Sequence, residues 1–118
     1  PVYSLLNDPD TGIRLPGRPN QSEGVTHINL ATVRSQLSDN AVRCVITFDQ
    51  SHHREAGFGP KDQRTAKMRW LQGEGVHAFY YVSHAPFLFA FSKAAHRDAV
   101  RNLLCSAGMP RGRIEGAE

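Results

Sequence analysis

Residues 77–92 read HAFYYVSHAPFLFAFS. This stretch contains two runs rich in aromatic residues, 77–83 and 87–92, with only three residues between them. Two strands joined by so short a connection pair with each other in antiparallel fashion. Pro86 belongs at the turn or at the start of the second strand, because proline has no N–H to donate to a sheet. The stretch therefore predicts an aromatic β-hairpin.

Other predicted elements lie on both sides of this hairpin. Residues 41–48, AVRCVITF, alternate between two faces and favour a strand. Residues 61–72 contain many helix-forming residues and favour a helix that ends at Gly73 and Gly75. A second helix and a last strand follow the hairpin. Ser92 is the predicted N-cap of the helix, and Gly108 and Pro110 mark its end. Its apolar stripe consists of Ala99, Val100, Leu103, Leu104 and Ala107, and the strand is predicted over residues 113–117.

The order of these elements predicts the fold class. From residue 41 onward the order is strand, helix, strand, strand, helix, strand, which predicts an α+β domain of the ferredoxin-like βαββαβ type with both helices on one face of the sheet. The opposite face is then open unless another segment covers it. We expect residues 41–118 to form this core and residues 1–40 to form an N-terminal arm with a short helix, within a single domain. The helix is indicated by Leu30, Val33 and Leu37 after a capping Thr26 or Asn29.

Length, composition and charge narrow the functional classes. A chain of 118 residues has the length of a single domain, and its net charge of +3 is small. The charge is uneven, because residues 61–118 contain nine basic and five acidic side chains, whereas residues 1–60 contain five and six. Eleven of the fourteen basic residues are arginine, whose planar guanidinium suits bidentate contact with phosphate or carboxylate. A basic second half therefore favours an anionic ligand.

Several classes find no support in the sequence. No apolar run approaches the length of a membrane span, and no glycine period or sustained heptad is present. The first residues lack an initiator Met and the pattern of a signal peptide, so we expect a piece of a longer protein and cannot assign a compartment. Cys44 and Cys105 either remain reduced or pair with each other.

The aromatic hairpin and the basic residues together suggest a nucleic-acid interface. Alternation places Phe87, Phe89 and Phe91 on one face of the hairpin. If that face is open, the rings form a stacking platform for unpaired bases; if it lies beneath the helices, they are core. The predicted nucleic-acid-binding residues are Lys61, Arg64, Lys67, Arg69, Tyr80, Tyr81, Phe87, Phe89, Arg97 and Arg101.

Histidines supply an alternative, catalytic hypothesis. His52 and His53 with His84 could carry out general acid–base chemistry, as in metal-independent cleavage of RNA through its 2′-hydroxyl. The sequence contains no metal-binding spacing, no phosphate loop, no dinucleotide motif and no nucleophile elbow. We therefore predict neither a metal nor a cofactor.

Three functional hypotheses follow from the sequence. The first is a non-enzymatic binding module for single-stranded nucleic acid. The second is a protein-interaction or scaffold domain of a larger assembly, such as one of the cell envelope or of secretion, in which a sheet face or edge binds another chain. The third is a small ribonuclease or toxin domain that uses the three histidines. The sequence does not determine the oligomeric state.

Overall fold

The computed structural model describes residues 3–7, 13–14, 28–49 and 59–116. Within these ranges the protein is an α+β domain with a five-stranded mixed sheet and three α-helices, so the predicted class is confirmed. No helix within these ranges is long and apolar enough to cross a membrane. The elements are β1 (Tyr3–Asn7), β2 (Ile13–Arg14), β3 (Ile28–Asn29), α1 (Leu30–Leu37), β4 (Val42–Phe48), α2 (Pro60–Gly73), β5 (His77–Val82), β6 (Pro86–Phe91), α3 (Ala94–Ser106) and β7 (Ile114–Glu115).

The sheet is built around the predicted hairpin. Its strand order is β1-β4-β6-β5-β7, with β1 parallel to β4 and every other pair antiparallel. Strands β5 and β6 pair in register from His77 opposite Phe91 to Val82 opposite Pro86. Pro86 thus opens its strand, as expected for a residue without an N–H. The short strands β2 and β3 form a separate parallel pair.

The ferredoxin-like topology is not confirmed, because the strand order differs. In that topology the last strand of the βαββαβ unit lies beside the first. Here β7 lies beside β5 at one edge of the sheet, and both β6 and β5 separate it from β4. The position next to β4 is occupied by β1, from the segment predicted to be an arm.

The two helices of the core lie on opposite faces of the sheet, which corrects the prediction that they share one. Helix α2 packs its Met68 and Leu71 against the face that carries Val45 and Tyr80. Helix α3 packs on the other face, where Val100 and Leu104 contact the cluster of Cys44, Phe79 and Phe91.

The strand order explains this arrangement of the helices. The β4-α2-β5 unit and the β6-α3-β7 unit each join parallel strands, and each steps in the same direction across the sheet. Since β4 and β6 run in opposite directions, the right-handed rule for such crossovers requires the two helices to lie on opposite faces. The sheet is therefore covered on both sides.

The helix boundaries follow local capping chemistry in part. Asn29 caps α1, and its side-chain oxygen accepts a hydrogen bond of 2.8 Å from the Ala31 N–H. Helix α3 instead has Lys93 at its N-cap without a side-chain bond, so the prediction that Ser92 caps it is wrong. The predicted apolar stripe of α3 is not wholly turned towards the sheet, because Leu103, one of its residues, is 66% exposed.

Strand β1 was not anticipated from the composition of the arm. Leu5 packs against the core on the α1 and α2 side. Asn7 and Gln36 exchange two side-chain hydrogen bonds, of 2.8 and 3.0 Å, which connect β1 to α1. These contacts make residues 3–7 part of the same sheet.

Candidate ligand groove beside strand β5

Two adjacent cavities, each of about 280 Å³, open along the edge of the sheet beside β5. They share three lining residues, and we call them together the basic groove. The first cavity is lined by Met68, Gln72, Val76, His77, Ala78, Phe79, Arg97, Arg101, Ile114 and Gly116, and the second by Arg101, Asn102, Cys105, Arg111, Ile114 and Gly116.

The groove exists because β7 is shorter than β5. Strand β7 pairs with β5 only at Tyr80 and Tyr81. In the part of the chain that the structure describes, no strand pairs with this edge of β5 from His77 to Phe79. The groove therefore runs along an edge whose backbone groups are not used by β7.

Arginine side chains give the groove its charge. Asp98 Oδ1 accepts hydrogen bonds of 3.0 Å from Arg97 Nε and from Arg101 Nη2. One carboxylate thus holds two guanidinium groups on the groove side of α3 and leaves a positive excess. Arg111 is exposed and adds a third guanidinium at the second cavity. This arrangement suits an anion that spans more than one site.

The other predicted cations do not line the groove. Lys61 and Arg69 are exposed on α2. Arg64 forms a bidentate ion pair with Glu115, with N–O distances of 2.8 and 2.9 Å. Lys67 is buried and its Nζ lies 3.0 Å from Asp49 Oδ2. Of the six predicted cations, Arg97 and Arg101 are brought together at the groove.

Asp49, Lys67 and Tyr80 form a buried polar cluster at the end of β4. The Tyr80 hydroxyl donates a hydrogen bond of 2.6 Å to the same Asp49 oxygen that contacts Lys67. Burial lowers the pKa of Lys67. Burial also raises the pKa of Tyr80, and the negative charge of Asp49 raises it further. Since Lys67 and Tyr80 present almost no surface, the structure gives them an internal role instead of the predicted contact with a ligand.

The predicted aromatic face exists, but helix α3 covers much of it. Phe87, Phe89 and Phe91 lie on one face, because they pair in register with Phe48, Ile46 and Cys44. Phe91 is fully buried under α3, and Phe89 stacks on Phe79 with ring centroids 4.9 Å apart. Phe87 is half-buried and contacts Phe48 at a centroid distance of 5.1 Å. The face is therefore mainly core, with a partly exposed end at Phe87.

The catalytic hypothesis involves three histidines, of which His84 lies within the described residues. His84 is exposed in the turn between β5 and β6. His52 and His53 lie outside the described residues. Within the described ranges, no group of three or more His, Cys, Asp or Glu side chains could hold a metal ion.

The two cysteines are free thiols in different surroundings. Cys44 is buried, and burial raises its pKa to about 12. A thiol with so high a pKa is almost entirely protonated at neutral pH and reacts slowly. Cys105 lines the second cavity of the groove and is half-buried.

Several residues that line the groove, among them Gln72, His77 and Ile114, were not predicted from the sequence. One signal could have indicated the groove. Gly112 and Gly116 leave room for only three residues between them, which favours a very short last strand and hence an uncovered edge.

Comparisons with protein-family models, curated proteins and solved structures find no match to this chain.

Proposed function

We propose that this domain is a non-enzymatic binding module whose basic groove holds the backbone of single-stranded nucleic acid. The observation that carries the proposal is the alignment of Arg97, Arg101 and Arg111 along two continuous cavities. The guanidinium group of arginine binds phosphate through two parallel hydrogen bonds. Several such groups in line can contact successive phosphates of one strand, whereas a single small anion would use only one of them.

Partly exposed rings near the groove support a single strand as the ligand. His77 lines the first cavity, and Tyr81 is half-buried and pairs with the lining residue Ile114. Unpaired bases stack on such rings without regard to sequence, whereas the bases of a duplex are already stacked on each other. We therefore expect little sequence preference.

Titration with a fluorescently labelled single strand of about ten nucleotides tests the proposal. We expect binding at low salt that weakens about ten- to twentyfold between about 50 and 200 mM salt, as for about three phosphate contacts. Arg101→Gln should weaken binding severalfold and reduce the slope of the salt dependence by about 0.7, because one phosphate contact to a single strand is lost.

Arg34→Gln is the matched control for this titration. Arg34 is an exposed arginine on α1, on the face opposite α3, and its guanidinium lies 3.9 Å from the Glu74 carboxylate. The Arg34→Gln protein should bind the labelled single strand with the same affinity and salt dependence as the unaltered protein. Absence of binding at low salt, or binding that is indifferent to salt, would rule out the proposed function.

Self-association is a second candidate function, favoured by an apolar surface at the β1 edge. The Leu6 side chain is 69% exposed and lies opposite Ile46 in register, on the α3 face of the sheet. Ile46 and the Phe48–Phe87 pair on the same face are only half-buried. An apolar surface next to a sheet edge is a common site of association between chains.

We expect the molecular mass measured by light scattering to rise with concentration if this surface binds a second copy. Leu6→Ser should abolish the rise, because it removes the most exposed leucine of the surface. Leu103→Ser is the matched control, since Leu103 is equally exposed but lies on α3. A monomer at millimolar concentration would count against self-association.

A further inference from the structure

Strand β7 is attached to the sheet by few interactions. It has two residues, and both pair with β5. Its Ile114 packs against the α3-side cluster, and Glu115 forms the bidentate ion pair with Arg64 on the opposite side of the sheet. Two paired residues alone do not make a stable edge, so the side-chain contacts carry much of the attachment.

The Arg64–Glu115 pair is placed well for this task. It joins residues 51 positions apart in the chain, and its two parallel N–H···O bonds hold one orientation. Both side chains are about four-fifths buried. Such geometry distinguishes the pair from an exposed ion pair such as Arg34–Glu74, whose N–O distance is 3.9 Å.

Attachment of β7 also determines the shape of the basic groove. Ile114 and Gly116 line both cavities, so one wall of the groove is β7 and the residue after it. Arg64 and Glu115 line neither cavity. Their influence on a bound ligand is therefore exerted through the position of the strand.

We infer that Arg64 and Glu115 form a latch that holds β7 against β5 and so keeps the basic groove in its binding shape. The identity of the ligand in this inference rests on the proposed function, whereas the attachment of β7 by Arg64 and Glu115 does not. When the latch is open, the groove lacks a wall. Apparent affinity for a polyanion then falls in proportion to the fraction of molecules that keep the wall.

The latch and simple electrostatics predict opposite effects of neutralising Glu115. Glu115→Gln removes a negative charge near a basic groove, and Coulomb attraction alone would strengthen the binding of a polyanion. The latch has the opposite consequence, because the neutral amide has one acceptor oxygen and cannot form the bidentate ion pair with Arg64. We expect the affinity of Glu115→Gln for the labelled single strand to fall about three- to tenfold.

Two measurements without a ligand test the latch directly. Successive N–H groups of a strand point to opposite neighbours, so one of the Tyr80 and Tyr81 amides donates towards β7 and the other towards β6. In Glu115→Gln, the amide that donates towards β7 should exchange with solvent at least about fivefold faster. Alkylation of Cys105 at the groove should accelerate likewise. Cys44 serves as the internal reference, since its burial and its pKa of about 12 keep it unreactive while the fold is intact.

Two further variants distinguish the latch from a general effect of charge. Asp39→Asn removes one exposed negative charge while keeping the side-chain oxygen that accepts from the Ala41 N–H, and it should leave exchange, alkylation and affinity unchanged. The double charge reversal Arg64→Glu with Glu115→Arg should restore slow exchange and alkylation. Unchanged exchange and alkylation in Glu115→Gln would overturn the latch. Faster exchange and alkylation in a protein that binds no single strand would uphold the latch and refute only the proposed function.

Discussion

Replacing Lys67 with methionine is expected to lower the free energy of unfolding by about 3–5 kcal/mol, the range for breaking a buried ion pair. The Lys67 ammonium lies 3.0 Å from Asp49 in a site closed to solvent. Methionine fills a similar volume but leaves the Asp49 carboxylate without that cation in surroundings of low polarity. Urea unfolding followed by circular dichroism measures the loss.

Lys61→Met provides the control for this experiment. Lys61 lies on the same helix but is exposed, so the same substitution should change the free energy of unfolding by no more than about 0.5 kcal/mol. The double variant Asp49→Asn with Lys67→Met should lose less than the sum of the single losses, because the two residues interact directly. A loss below about 1 kcal/mol for Lys67→Met alone would show that the pair is not closed to water.

Phe91→Ala is the second substitution with a large expected effect, a loss of about 3–5 kcal/mol, as for a fully buried phenylalanine. Phe91 has no exposed surface, and its ring stacks near Phe79 at a centroid distance of 5.8 Å under α3. Its truncation leaves a cavity between helix and sheet that the packed neighbours cannot fill.

Phe87→Ala is the matched comparison, because Phe87 lies on the same strand and the same face. It is half-buried beyond the cluster that contacts α3, so we expect a loss of about half that of Phe91→Ala. The same urea unfolding measures both. Equal losses would contradict the placement of α3 over one end of the face only.

Local sequence patterns predicted the elements of the core well. The alternation in residues 41–48, the paired aromatic runs in residues 77–92 and the capped helix after Asn29 all correspond to observed elements. Each pattern depends on neighbours within a few residues. The misplaced cap at Ser92 is a local exception, because the chain remains extended through Lys93 before α3 begins.

The candidate site was predictable only in part, and the lysines and arginines show why. Arg64, Lys67, Arg97 and Arg101 look alike in a sequence. Their roles differ because Glu115 and Asp49, far away in the chain, meet the first two on α2, while the other two line a groove. A local pattern contains no information about such partners.

The sequence by itself determined that the protein is an α+β domain with an aromatic hairpin and a basic second half, because these properties depend on composition and on short-range periodicity. The tertiary structure decided the strand order, the placement of α3 opposite α2 and the covering of the aromatic face. The pairing of β1 with β4 and of β7 with β5 brings together residues far apart in the chain. The direction of each crossover then assigns its helix to a face, which buries Phe91 and leaves the edge of β5 beside the arginines of α3.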